Sequence, residues 1–266
     1  MNHPHLDQTL RRLRLSGLLQ TLSVRLQEAA ANRLGHAEFL ELICQDELNV
    51  RNERLLKRRT KAADFRHLKT LEDFDWHFNP TIQRKPIYEL AAGGFIRKAT
   101  DVLFVGPPGV GKTHLAQGIG YEAIKMNFHV LYRSIFDLVR DFLKDEAFSQ
   151  QERTVRKYLK PDLVIIDDMG LKSLPKHSAE YLLEVVMLRY ENRSTIMTSN
   201  RPIEEWGKLL GDVPSASAIL DRFLHHAQTI AITGRSYRLK DQPVMGKEDK
   251  KSKSKSNEPA TAGSAS

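Results

Sequence analysis

The sequence predicts an α/β fold in which a parallel β-sheet is sandwiched between helices and preceded by a small helical domain. Three observations support this prediction. Over roughly the last two-thirds of the chain, short apolar runs alternate with helical patterns, an order typical of strand–helix–strand units. A glycine-rich turn joins the first of these runs to the helical pattern that follows it. The N-terminal region, by contrast, shows only helical leucine spacing.

The composition is that of a globular protein. The chain has 266 residues, of which 41% are hydrophobic and 28% charged, enough for one substantial domain and a smaller appendage. No run of about 18 apolar residues occurs, and leucine alternates with arginine where a signal peptide would need an unbroken apolar stretch. We therefore expect a cytoplasmic protein without membrane contact. The net charge of +8 favours a polyanionic partner, although part of the excess lies in a polar C-terminal tail.

Residues 1–70 are predicted to form the helical domain, which would contact DNA or a partner. Its leucines are spaced to make one face of a helix, and Gly35 separates this predicted helix from a second that starts near Ala37. The single cysteine, Cys44, lies in an apolar stretch and is predicted to be a buried helix residue. One cysteine excludes an internal disulfide and a metal–thiolate site. The leucines of the first face are Leu6, Leu10, Leu13, Leu22 and Leu26.

A basic run ends the second predicted helix, and it has two interpretations. A solvated helix face and a DNA contact surface explain it about equally well. Lysines that follow an acidic strand, described below, are further candidates for DNA contact. The DNA-binding candidates are Arg54, Lys57, Arg58, Arg59, Lys172 and Lys176.

Three segments follow the helical domain. Residues 71–98 contain Asn-Pro, Lys-Pro and Gly-Gly breaks and are predicted to be a linker that packs on the core. Residues 99–241 are the predicted core, and residues 242–266, polar and without periodicity, a predicted disordered tail. The strands predicted in the core are Val102 to Val105, Val130 to Tyr132, Leu163 to Asp167, Thr195 to Thr198 and Thr229 to Ile232.

The motif GPPGVGKT predicts a phosphate-binding loop, or P-loop. It directly follows an apolar strand pattern and precedes a helical one, as this motif requires. Its glycines let successive backbone N–H groups point at phosphate oxygens, and the helix N-terminus adds partial positive charge. Lysine would reach the β- and γ-phosphates of ATP, and threonine would bind Mg²⁺. The residues are Gly106, Pro107, Pro108, Gly109, Val110, Gly111, Lys112 and Thr113.

The run LVIIDD predicts a strand that ends in two carboxylates, and we expect it next to the P-loop strand. Asp167 would hold magnesium through water, and Asp168 would orient or activate the attacking water. Paired aspartates after a strand are often only a turn signal or a helix cap, but beside a P-loop the functional interpretation is favoured. Asn200, after another apolar run, would stand between the P-loop and the acidic strand and contact the γ-phosphate or the water. Capping of the following helix is compatible with that role.

Together with ILDRFLHH and GRSYRLK, these motifs resemble the AAA+ ATPases of the initiator and loader group, and more closely the IstB-like helper proteins of insertion sequences. The resemblance extends through LEDFDWHFNP at Leu71 to Pro80 and LRYENRSTIMTSN at Leu188 to Asn200. It covers nearly everything except the tail and part of the N-terminus. It implies an AAA+ P-loop NTPase core without the usual C-terminal helical lid.

The resemblance also implies a function. The chain would assemble with ATP on double-stranded DNA as a homo-oligomeric ring or helix and deliver that DNA to a cognate transposase. Arg222 would be the arginine finger acting on a neighbour's ATP, Arg238 the second sensor and Asn200 the first. One departure from the wider superfamily is Asp168, where a glutamate is commonest, so turnover could be slow.

Three alternatives stay open at this point. A DnaC-like replicative helicase loader shares the core, but LEDFDWHFNP is more similar to the transposition helpers. A small-molecule P-loop kinase would account for GPPGVGKT alone, yet for neither the basic run nor the C-terminal arginine motifs. The third is a structural DNA-binding protein that uses ATP only as an assembly switch, against which Lys112, Thr113, Asp167 and Arg222 all argue.

Overall fold

A five-stranded parallel sheet forms the centre of the molecule. The computed structural model describes residues 4–148, 151–170, 175, 177–211 and 213–240. All five predicted strands are confirmed. Four of them are almost entirely buried because helices cover both faces of the sheet, whereas the last strand lies at an edge and is partly exposed. The strands are β1 Asp101–Val105, β2 Val130–Ser134, β3 Leu163–Met169, β4 Ser194–Ser199 and β5 Ala227–Ala231.

The strand order is β2-β3-β4-β1-β5, which corrects one prediction. The acidic strand β3 does not neighbour the P-loop strand β1, because β4 lies between them and pairs with both. Ile196 of β4 lies opposite Val102 of β1 on one side and opposite Ile165 of β3 on the other. Local sequence patterns specify strands but not their lateral order, which depends on how far each crossover helix carries the chain.

Helices cover both faces of the sheet. Because side chains alternate along a strand, Val102 and Phe104 face one layer while Leu103 faces the other. The helices that contact the first layer are α4 Arg84–Ala91, α5 Gly94–Arg97 and α6 Lys112–Lys125. The helices that contact the second are α7 Ile135–Phe148, α8 Gln151–Leu159, α9 Ser178–Arg189, α10 Trp206–Leu210 and α11 Val213–His225.

The N-terminal region contains three helices, α1 Pro4–Arg12, α2 Ser16–Asn32 and α3 His36–Ala63. The region predicted as one helix therefore forms two helices, α1 and α2. The carboxylate of Glu47 on α3 accepts hydrogen bonds from the backbone N–H groups of Gly17 at 2.6 Å and Leu18 at 3.2 Å. The first-turn N–H groups of a helix have no partner within the helix. Glu47 therefore caps the start of α2 and separates it from α1.

The second predicted helix does begin beside Gly35, as expected. The prediction for Cys44 is wrong, because its side chain is exposed on α3. The apolar face of α3 is narrow in this region, and Ile43 is the neighbour that packs into the small cluster of α1, α2 and α3.

The end of α3 and the segment after it pack on the core rather than standing apart. Ala63, Leu71, Ile87 and Phe95 are buried in the same apolar layer as the sheet residues. At the other end of the described chain, β5 is followed only by a one-turn 3-10 helix, Tyr237–Leu239. Residues 232–240 therefore form no helical lid.

Lys172, Lys176 and the predicted tail lie outside the part of the chain that the structure describes. Within that part, none of the helices combines the length and apolar character needed to cross a lipid bilayer.

Candidate nucleotide site

The P-loop connects β1 to α6 at the carboxyl edge of the sheet. Gly109 has a φ of +82°, in the left-handed region that glycine adopts without strain. Gly106 lies so close to the chain after β5 that an added Cβ would be 2.0 Å from the carbonyl oxygen of Ile232. The loop therefore owes its shape to backbone freedom, and it leads into the N-terminus of α6, which favours anions.

Lys112 is buried at the centre of the loop. Its Nζ donates to the carbonyl oxygens of Gly106 at 2.7 Å and Pro107 at 2.8 Å, and to Oδ1 of Asn200 at 2.7 Å. Burial lowers the pKa of Lys112 to about 8, although the two nearby aspartates oppose the shift. Its present partners are neutral oxygens, which a phosphate group could replace with negative charge.

Thr113 and Asp167 bring oxygen atoms together beside the loop. Oγ1 of Thr113 donates to Oδ1 of Asp167 at 2.9 Å, and the hydroxyl of Tyr132 donates to Oδ2 of Asp167 at 2.6 Å. Thr198 on β4 also donates to the same carboxylate. Magnesium prefers oxygen ligands, usually one or two carboxylates together with phosphates and water. A hydroxyl and a buried carboxylate at this spacing fit that ion.

Asp168 lies nearer the solvent than Asp167 and contacts a residue outside the motif. Its backbone has a φ of +67°, and its Oδ2 accepts a hydrogen bond from Nη1 of Arg66 at 3.2 Å. Arg66 also lies 3.6 Å from Oδ2 of Asp137. Burial and the neighbouring Asp167 raise the pKa of Asp168, while Arg66 opposes the rise. Sequence reasoning missed Arg66, since an arginine between two segments carries no local signal.

Asn200 and Arg238 are both brought to this edge. Asn200 follows β4, which lies between β1 and β3, so it stands between the P-loop and the acidic strand as predicted. Arg238 is exposed on the rim of the pocket, where its charge acts on both Lys112 and Asp168. The structure thus places the two proposed sensors at one cavity.

Aromatic side chains from segments that are far apart in the sequence form the outer wall of the pocket. Phe74 contacts His114 edge-on with ring centroids 5.1 Å apart, and Phe78 contacts Tyr237 at 4.9 Å. Asn79 ties the two segments together, since its Nδ2 donates to the carbonyl of Thr233 at 2.6 Å. Such a wall suits a planar base. The sequence analysis used LEDFDWHFNP only for the family resemblance and did not assign its aromatic residues to the pocket.

Arg222 lies near the opposite edge of the sheet. It is exposed on the last turn of α11, with its guanidinium 5.5 Å from the ring centroid of Tyr190. That helix leads into the first residue of β5, and the backbone N–H of Asp101, the first residue of β1, donates to the carbonyl of His226. This is the amino edge, so Arg222 and the P-loop lie at opposite ends of the strands.

The basic run on α3 presents several exposed charges. Arg54 donates to Oγ of Ser16 and Lys57 to Oε1 of Glu53, each at 2.5 Å, and Arg58 is exposed. Arg59 points elsewhere, since its Nη1 donates to Oδ1 of Asn127 in the core at 2.9 Å. Helical spacing puts the first three side chains on one face, and Arg59 off it.

Comparison with known proteins identifies close relatives. The family model described as "IstB-like ATP binding protein" matches residues 8–244. The chain is 37% identical over 241 residues to the insertion sequence IS21 putative ATP-binding protein of Pseudomonas aeruginosa, covering 91% of each chain. It is 34% identical to the IS5376 putative ATP-binding protein of Geobacillus stearothermophilus, covering 90% of this chain and 95% of that protein.

A solved structure shows the same fold. The crystal structure of DnaI aligns with a TM-score of 0.53 and 23% identity, covering 62% of this chain and 91% of that one. At this identity the likeness concerns the fold alone. It supports the predicted architecture of a parallel sheet between helices.

Proposed function

The chain belongs to the family of IstB-like ATP-binding proteins of insertion sequences, and on that basis we propose that it is a magnesium-dependent ATPase that assembles on double-stranded DNA and presents it to a transposase. The observation that carries the proposal is the placement of the P-loop and Arg222 at opposite edges of one sheet. Such a molecule has a nucleotide pocket at one end and a candidate catalytic cation at the other.

In this proposal the carboxyl edge binds ATP. Lys112 exchanges its carbonyl partners for the β- and γ-phosphates, and Asn200, released from Lys112, is free to hydrogen-bond the γ-phosphate or water. Thr113 and Asp167 would hold magnesium, which neutralises charge on the phosphate oxygens when it is bound. Asp168 orients the attacking water, and Arg238 on the rim adds positive charge toward the phosphates.

Arg222 acts on the ATP of a second molecule. The length of the strands separates it from its own P-loop, so it reaches a phosphate only if the amino edge of one subunit faces the carboxyl edge of the next. Contacts of this head-to-tail kind produce rings or open helices. The arginine would stabilise negative charge on the γ-phosphate during transfer to water.

The DNA contact is assigned to the exposed basic face of α3, formed by Arg54, Lys57 and Arg58. These residues share one side of the helix, and the net charge of the chain is +8. Arg59 contributes to the packing of α3 on the core through Asn127. The insertion-sequence relatives, which are named as putative ATP-binding proteins of such elements, support a transposase as the partner.

A mixing experiment tests the arrangement of subunits. Arg222→Ala retains an intact pocket and should bind ATP but hydrolyse it on the order of 10³-fold more slowly. Lys112→Ala lacks a working pocket but still carries Arg222. Mixed assemblies should therefore recover phosphate release, because intact arginines then face intact pockets. Arg193→Ala, which removes an exposed arginine near the same edge, should hydrolyse ATP at the parental rate.

The outcome of mixing separates the alternatives. The double variant Lys112→Ala with Arg222→Ala, mixed with Arg222→Ala, should give no recovery. If light scattering shows that the single variants co-assemble and activity still does not return, the trans arrangement is wrong. If the parent binds ATP and DNA but releases no phosphate, the protein is an assembly switch rather than an ATPase.

DNA binding is tested through its salt dependence. Replacing Arg54, Lys57 and Arg58 with alanine should weaken duplex binding in the presence of ATP and lower the salt slope by about 0.9 for each phosphate that the variant no longer neutralises. The charge-matched control replaces Lys85, Arg97 and Lys98, exposed residues away from this face. Equal DNA affinity and equal salt slope in the two triple variants would show that the basic face of α3 does not contact DNA.

A further inference from the structure

A cluster of metal-binding side chains lies at the amino edge, away from the nucleotide pocket. Glu191 follows α9, His225 is the last residue of α11, and His226 leads into β5. Their potential ligand atoms all lie within 4.8 Å of one another. Tyr190 joins the group, with its hydroxyl 2.8 Å from Nδ1 of His225 and 3.4 Å from Nε2 of His226.

The backbone fixes these residues in place. The carbonyl of His226 accepts the N–H of Asp101, which ties it to the first residue of β1. The N–H of Tyr190 donates to the carbonyl of Val186, at the end of α9, and Glu191 adopts a left-handed φ of +57° that turns the chain there. Two helix ends and a strand start therefore meet at one point, and each contributes a ligand.

We propose that Glu191, His225 and His226 form a binding site for a divalent transition-metal ion such as Zn²⁺. At a Zn–N distance of about 2.0–2.1 Å, tetrahedral ligands lie roughly 3.3 Å apart. Nε2 of His226 and Oε1 of Glu191 are 3.2 Å apart. Two imidazoles and one carboxylate form a donor set suited to zinc, and imidazole also suits copper, nickel and iron, whereas magnesium and calcium prefer oxygen ligands.

The exposure of Glu191 and His225 and the partial burial of His226 indicate an open site. Three protein ligands leave a fourth position for water. The hydroxyl of Tyr190 lies beside the nitrogen atoms and would remain as an outer hydrogen-bonding group, of the kind that orients metal ligands. The site is thus distinct in chemistry and position from the oxygen-lined Thr113 and Asp167.

Cobalt is the probe for this site. Co²⁺ is titrated into untagged protein in the absence of nucleotide and DNA, with excess magnesium to occupy oxygen sites. We expect one equivalent of visible absorption of the tetrahedral type, displaced by one equivalent of Zn²⁺. His225→Gln and His226→Gln should each weaken uptake by at least about tenfold. His177→Gln removes an exposed histidine paired with Glu180 at 3.0 Å and should leave uptake unchanged.

Two outcomes overturn the proposal. One is the absence of a cobalt spectrum at a large excess of metal, and the other is an unchanged spectrum in the histidine variants. Normal ATP binding by each variant shows that it is folded. Loss of the cobalt absorption in such a variant therefore reflects loss of the metal site. Because the titration contains neither ATP nor DNA, its result stands whether or not the chain proves to be a transposition ATPase.

A consequence rests on the proposed function. Arg222 packs over the ring of Tyr190, so a bound cation would repel the guanidinium and change its position. Zn²⁺ should lower the concentration-dependent ATPase activity of the parent but affect His225→Gln far less. Equal inhibition of both proteins would show that metal at this site does not act through Arg222. The cobalt titration would still decide whether the site exists.

Discussion

Both edges of the sheet bury charged side chains, but the two edges use them differently. At the carboxyl edge, Lys112 and Asp167 are buried beside a pocket. At the amino edge, Arg189 and Asp101 are buried to a similar degree, and they face protein instead. Burial of a charge is therefore a poor indicator of function in this molecule. The two edges differ in whether a bound ligand can replace the hydrogen-bond partners of the buried charged side chain.

The guanidinium of Arg189 donates its hydrogen bonds to oxygen atoms of the protein itself. Its guanidinium donates to the carbonyls of Tyr158 at 2.7 Å, Pro161 at 3.0 Å and Ser194 at 2.5 Å, and to the hydroxyl of Thr195 at 3.1 Å. These acceptors come from two stretches of the chain, the end of α8 with the turn before β3 and the start of β4. Burial lowers the pKa of Arg189 to about 10, so it remains charged at neutral pH and fastens these segments together.

The largest expected effect comes from Arg189→Met. Removal of the guanidinium leaves several buried carbonyls without donors, and breaking such a buried charged network costs about 3–5 kcal/mol. Urea denaturation should show that loss in the free energy of unfolding. ATP affinity per folded molecule should be unchanged, since the residue lies away from the pocket. A specific loss of ATP binding in folded protein would contradict the division between the edges.

Lys112→Met is the matched change at the other edge. We expect ATP affinity to fall at least about 100-fold, because a buried phosphate cluster loses its principal counter-charge. Unfolding free energy should change little, since burial already disfavours the charged amine, as its lowered pKa shows. Filter binding and urea denaturation measure the two quantities. An ATP affinity equal to that of the parent would show that Lys112 does not bind the phosphates.

Asp101→Asn tests the amino edge through pH. Burial raises the pKa of Asp101 to about 7, despite a hydrogen bond from the N–H of Thr195. The folded protein therefore holds this proton more tightly than the unfolded chain, and the parent loses stability as pH rises from about 4 to about 7. Asparagine has no such loss. The stability advantage of Asp101→Asn in unfolding free energy should grow across that window to on the order of 4 kcal/mol at pH 8.

The control for that measurement is Asp221→Asn, which replaces an exposed carboxylate on α11. An Asp101→Asn protein whose advantage is the same at pH 4 and pH 8 would show that the buried carboxylate stays ionised throughout.

Arg66→Ala carries the smallest expected effect. Arg66 is half-exposed and holds Asp168 from outside the motif, so its removal frees the carboxylate to approach water. We expect turnover to rise about two- to threefold, within the range of weak exposed ion pairs, with ATP affinity unchanged. Arg140→Ala, which removes another partner of Asp137, should not alter turnover. A fall in turnover with Arg66→Ala would instead make this arginine a positive contributor.

The comparison of edges also shows what the sequence could predict. The strands were predictable because each contains a short apolar or β-branched run, and the P-loop because its glycines, Lys112 and Thr113 form one contiguous motif. Arg189 gave no signal, since most of the carbonyls that bind it belong to a stretch of chain about thirty residues earlier. The break before α2 was missed for the same reason, because Glu47, which caps that helix, lies on α3. Features that depend on tertiary approach stay invisible to local patterns.

The aromatic wall has a consequence for the synthesis of the protein. Phe74 and Phe78 emerge from the ribosome before the P-loop, whereas Tyr237 and Arg238 follow long after it in the chain. The N–H of Tyr237 donates to the carbonyl of Gly109 at 2.9 Å, which anchors this late segment on the loop. A nascent chain with only its first strands thus has phosphate-binding groups but an incomplete cavity. The pocket is therefore completed only after synthesis has passed Arg238, well beyond the P-loop.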